Sequence, residues 1–172
     1  MDVNFRVAAF DPGGTTGWST FSALWVPGLP FQQIKWDCGH LGPGNHHDAL
    51  EQHLGIQRVQ FYTVVAERFT DRVSEHSVVL DAKEYEGVIK RYCEAEGVEL
   101  HLQMPAIAKG FTKNENLKRL GLWEGTKWKH AMDARRHLLW FLINSFPTVR
   151  QQFGRAAVEL RSELLTKGWP NQ

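Results

Sequence analysis

Two apolar stretches of this chain end in a carboxylate, VAAFD at Asp11 and TVVAE at Glu67. An acid at the tip of a buried strand has lost much of its water, and it is tolerated only with a cation, a hydrogen-bond network or a raised pKa. If the two strands are parallel neighbours, both acids project from one sheet edge, the edge at which open α/β sheets bind ligands. A further set lies in KWKHAMDARRHLLWF, where His130, Asp133 and His137 are spaced by three and four residues. They therefore share one helical face, which Phe141 continues inward. One strand-end acid is ordinarily structural. Two of them, with His and Asp interrupting an inward helix face, read as a site for metal ions.

Those groups need a sheet and a helix to hold them. Residues 5–10 (FRVAAF) read as a buried strand closed by the turn signal Asp11-Pro12-Gly13-Gly14. Residues 17–25 and 33–41 read as two further strands of a meander. A helix is expected over 48–59, a strand over 61–69 rich in β-branched and aromatic residues, and a helix over 81–97 stopped by Gly97. Residues 98–104 alternate like a strand, and 113–123 read as a short helix or a mobile segment. Thr126 can cap a long helix running to Phe146, where Pro147 breaks it. A final amphipathic helix is expected over 149–166. The order predicts an α/β class, a mixed sheet with helices on its faces.

At 172 residues, the chain is read as one domain able to bury a core without disulfides. No run of 18 or more apolar residues occurs and the N-terminus lacks a signal-peptide layout, so neither membrane insertion nor secretion is expected. Cys38 and Cys93 show no metal-ligand spacing and read as reduced thiols of a cytoplasmic protein. Charge is distributed unevenly. Residues 1–108 carry 8 Lys and Arg against 14 Asp and Glu, whereas residues 109–137 carry 8 against 3. A basic segment on an acidic chain is the asymmetry expected where one face meets phosphate. It holds Lys109, Lys113, Lys118, Arg119, Lys127 and Lys129, with Trp123 and Trp128 between them. Cations for phosphates and aromatics for unpaired bases suit branched DNA. The glycines of Gly13-Gly14-Thr15-Thr16-Gly17 lack the Gly-Lys-Ser/Thr of a P-loop and serve a tight turn that leaves the edge open.

The motifs AFDPGGTTGWS, VVAERF and HAMDARRHLL, in this order, resemble the RuvC-like Holliday-junction resolvases, in particular their small bacteriophage members. The resemblance spans roughly residues 5–145. It implies a ribonuclease-H-like fold with a mixed five-stranded sheet flanked by helices, over 1–172, with 147–172 a C-terminal helical extension. It also implies a metal-dependent endonuclease acting on branched DNA. By motif, Asp11, Glu67, His130 and Asp133 become the catalytic and metal-binding residues, His130 standing where many relatives have an acid. Two Mg²⁺ or Mn²⁺ ions about 3.5–4 Å apart would clamp the attacking and leaving oxygens. Asp11 would lie between them, Glu67 and Asp133 would each hold one, and His130 would complete a shell or orient water. Lys109 resembles the lysine that follows the fifth strand of resolvases, Lys118 lies near a second basic position, and Arg68 and Phe69 follow Glu67 toward the junction centre. Four-way junctions, flaps, forks and RNA-containing duplexes all fit this chemistry, and symmetric junction cutting implies a homodimer. The expected location is the cytoplasm, that of a host cell for a phage protein. Two rivals remain: a non-catalytic nucleic-acid-binding module of the same fold, and a fragment of an actin-like ATPase, which DPGGTTG also suggests although those proteins carry two copies of this fold.

Overall fold

A strand apolar on both faces belongs at the centre of a sheet. In the computed structural model, which describes residues 2–26, 29, 31–42, 46–59, 61–69, 76–125 and 129–146, the first strand holds that place. β1 (Val3–Asp11) is antiparallel to β2 (Thr16–Trp25), which is antiparallel to β3 (Gln32–Leu41). On its other side β1 is parallel to β4 (Phe61–Glu67), which is parallel to β5 (Glu99–Gln103). The five-stranded order is β3-β2-β1-β4-β5, the mixed sheet that the order of elements predicted.

Side chains alternate across β1 with the period of two that a pleated strand imposes. Phe5, Val7 and Ala9 join Phe21, Val65, Leu138 and Leu142 in one core cluster. Ala8 and Phe10 join Leu50, Leu54, Val64, Val88 and Ile89 in a second. The first cluster is covered by α5 (Lys129–Ser145), the second by α1 (His46–Gln57) and α2 (His76–Glu96). Gly97 ends α2 in the left-handed region at φ 62°, and the Val98 N–H donates to the Cys93 carbonyl at 2.8 Å, closing the last turn. No helix among the described residues is long and apolar enough to cross a membrane.

Two short helices link β5 to α5: α3 (Pro105–Phe111) and α4 (Asn114–Arg119). The sequence foretold neither α3 nor the bounds of α4. Seven residues containing Gly110 are too few to show a helical period, although Pro105 occupies the first turn, where its missing N–H costs nothing. Thr126 and the expected C-terminal extension, 147–172, lie outside the described residues.

Candidate active site

Because β1 and β4 run parallel with Phe10 opposite Ala66, Asp11 and Glu67 leave the sheet side by side at one edge. Across β1, Asp11 pairs with Gly17 of β2. The first turn of α5 lies directly over that glycine and brings His130 and Asp133 to the same edge. Lys109 of α3 joins them. Its Nζ stands 2.9 Å from Glu67 Oε2, 3.3 Å from Asp133 Oδ2 and 3.9 Å from Asp11 Oδ1. Three carboxylates thus surround one ammonium. His130 Nδ1 is 2.8 Å from Asp11 Oδ2, so all four residues marked by motif meet in one place.

Further side chains hold the acids. His137, fully buried one turn beyond Asp133, places Nε2 2.8 Å from Glu67 Oε2 and Nδ1 2.9 Å from Gln103 Oε1. Arg136 donates to Asp133, and also to the Thr112 carbonyl at 2.8 Å and to Asn114 Oδ1, tying the acid to the link between α3 and α4. Arg135, 1% exposed, donates to Ser19 Oγ at 3.2 Å, the Leu122 carbonyl at 2.8 Å and Glu124 Oε1 at 3.2 Å. It pins α5 to β2 and to the chain that follows α4.

The electrostatics follow from burial and crowding. Burial pushes the Asp11 carboxyl up to about 6, against the His130 hydrogen bond that pulls it down, while the nearby Glu67 charge adds to the rise. Burial also pushes Glu67 up, but the His137 hydrogen bond and the Lys109 ammonium outweigh it and hold that carboxyl well below its ordinary range. The Asp11 hydrogen bond raises the His130 imidazole. Burial alone would lower Lys109, yet the three carboxylates raise it. The negative charge of the edge is therefore well compensated at Glu67 and undercompensated at Asp11.

The donor set fits a hard divalent cation, which favours carboxylate oxygens. The acids already converge on a cation, and Asp11, buried at 6% exposure, still lacks enough positive charge to keep its ordinary pKa. Among the described residues, however, no three His, Cys, Asp or Glu side chains stand as a finished ligand set for one ion. Their oxygens face Lys109, Arg136, His130 and His137 instead.

The residues expected to touch nucleic acid separate into groups. Lys113, Lys118, Arg119 and Lys129 are exposed, and Lys118 Nζ lies 5.7 Å from the centre of the Trp123 ring. Lys109, expected at phosphate, lies among the carboxylates. Arg68 is exposed while its N–H donates to the Gln103 carbonyl at 2.7 Å. Phe69 is half-buried, its N–H donating to Glu86 Oε2 at 2.8 Å, with Lys83 Nζ 5.9 Å from its ring. Lys127 and Trp128 lie outside the described residues. The sequence reading did not bring Gln103, Arg135 or Arg136 to the site. It set His137 on the same helical face as His130 and Asp133 but gave it no catalytic or metal-binding role.

No family model and no curated protein matches the sequence. In three dimensions the chain is similar to RuvC of T. thermophilus in complex with a Holliday junction substrate, with a TM-score of 0.58 and 16% identity over 79% of this chain and 92% of that one. It is equally similar to a second structure of Thermus thermophilus RuvC, at 0.58 and 17% identity with the same coverage. At such identity the likeness speaks for the fold. This chain has a RuvC-like, ribonuclease-H-like α/β fold, a mixed five-stranded sheet flanked by helices.

Proposed function

We propose that this chain is a divalent-metal-dependent, structure-specific endonuclease of branched DNA, with the four-way junction as its main substrate. The observation that carries the reading is the gathering of Asp11, Glu67 and Asp133 within 4 Å of one ammonium, on a fold whose solved neighbour is RuvC with a Holliday junction. Asp11, Glu67 and Asp133 would hold Mg²⁺ or Mn²⁺, with His130 beside Asp11; the imidazole suits Mn²⁺ better than Mg²⁺. Bound ions would supply an activated water and neutralise charge on the departing oxygen.

The chain's own groups perform the remaining tasks. His130 holds a proton at Nδ1 against Asp11, which leaves Nε2 as the nitrogen that would take a proton from an attacking water. Lys109, displaced from the carboxylates, becomes available to a backbone phosphate. Lys113, Lys118, Arg119 and Lys129 add exposed positive charge along the flank, and Arg68 and Phe69 lie directly beyond Glu67. Two symmetric cuts need two such sites, hence two copies of the chain. The setting is the cytoplasm.

Cleavage of labelled four-way junctions, flaps, forks and linear duplexes in Mg²⁺ or Mn²⁺ tests this reading. Paired symmetric nicks on the junction, absent in chelator and in Asp11→Asn, are expected. Binding of all substrates with no cleavage under either metal would leave only a nucleic-acid-binding module.

A further inference from the structure

We infer that His137 and Gln103 form a buried positioning relay that fixes the Glu67 carboxylate for metal binding. The inference rests on the nuclease reading and adds two residues to it. His137 sits on the α5 face that Leu138, Phe141 and Leu142 otherwise make apolar. An imidazole there is costly unless both nitrogens are partnered, and a leucine would pack in its place. Both have polar neighbours: Nε2 lies 2.8 Å from Glu67 Oε2, to which its N–H donates, and Nδ1 lies 2.9 Å from the end of the Gln103 amide, whose NH2 group donates to it once the amide is turned over.

The two partners are themselves neighbours, because Glu67 and Gln103 are opposed in the parallel register of β4 and β5. The relay therefore joins the ends of two strands to one turn of α5. The same helix carries Asp133 one turn earlier, so the spacing between two acids is set by a rigid element. Lys109, the cation on Glu67, has a side chain 37% exposed on a long stem and is free to swing out. His137, with none of its surface exposed, cannot. His137 thus anchors Glu67 Oε2, the oxygen that also lies 2.9 Å from the Lys109 ammonium, while Oε1 stands 3.3 Å from that ammonium. Hydrogen bonds of this kind to a ligating carboxylate set its orientation, and their loss costs about 10–100-fold in metal affinity or activity.

The test uses the full chain and Mn²⁺ alone, with binding followed by calorimetry before any DNA is added. His137→Leu removes both bonds and is expected to weaken Mn²⁺ binding about 10–100-fold. Single-turnover junction cleavage should fall in parallel, with junction affinity in chelator unchanged. His137→Gln, whose amide can still donate to Glu67, should recover part of both losses. Gln103→Leu, at a half-buried strand end, should show a smaller loss that does not add to that of His137→Leu, and it carries the test should His137→Leu fail to fold. Wild-type Mn²⁺ affinity and cleavage in a less heat-stable His137→Leu would make His137 a core residue only and overturn the relay. So would losses from Gln103→Leu and His137→Leu that add in full. A wild-type chain that binds no Mn²⁺ and cuts no junction overturns the nuclease reading itself, and the relay with it.

Discussion

The backbone of Gly17 lies so close to that of His130 that a Cβ on Gly17 would stand 2.1 Å from the His130 carbonyl carbon and oxygen. No real Cβ contact is that short, so the glycine is what lets α5 descend onto β2 and deliver His130 to Asp11, the register partner of Gly17.

Gly17→Ala should therefore push the start of α5 away from the sheet. A loss of roughly 2–3 kcal/mol in stability is expected, with a larger proportional loss of junction cleavage. Gly13→Ala is the control, since Gly13 is buried but its Cβ would meet only the Thr15 carbonyl at 3.6 Å; stability there should change by less than about 1 kcal/mol. Denaturant unfolding and nicking rates read both. Equal behaviour of the two variants would remove the close approach from the account.

Asp11 makes the metal-free protein pH-sensitive. Its carboxyl titrates at about 6 in the folded chain against an ordinary 3.8, so the folded state binds that proton more tightly. The associated stability is fully present below pH ~4 and is lost as pH rises through 6, on the order of 3 kcal/mol. In chelator, Asp11→Asn should flatten the decline between pH 4 and 6 and be the more stable protein at pH 7, while cutting no junction. Parallel stability–pH curves for the two proteins would contradict the buried charge assigned to Asp11.

The legibility of this site from sequence had a physical basis. Asp11 and Glu67 stood out because two apolar runs both end in an acid, and His130 and Asp133 because helical spacing places them on one face. The strands were readable because burial on both faces leaves a continuous apolar run, as in β1 and β4, and burial on one face leaves a pattern of period two. The placing of Lys109 among the carboxylates was not legible, because its position depends on α3, too short to leave a periodic trace. Arg135 passed unnoticed because an arginine is ordinarily exposed, and its acceptors, Ser19, the Leu122 carbonyl and Glu124, are adjacent only after folding. Gln103 is an unremarkable strand residue until β5 sets it beside Glu67.

Lys109 is the counter-charge of the metal-free site, which gives its replacement two opposite effects. Lys109→Gln should lower stability in chelator by no more than about 1 kcal/mol, because solvent screens a side chain that is 37% exposed. Mn²⁺ should bind the variant more tightly than wild type, and saturating Mn²⁺ should restore the lost stability. Weaker Mn²⁺ binding in the variant would mean that the ammonium assists the ion instead of competing with it.

The central claim is that Asp11, Glu67 and Asp133 share divalent ions. Anomalous diffraction from a crystal soaked in Mn²⁺ tests it most directly. The account predicts manganese density bounded by these three carboxylates, with the Lys109 ammonium moved out of their midst. A fully soaked crystal with no manganese there, and Lys109 still bridging the acids, would contradict it.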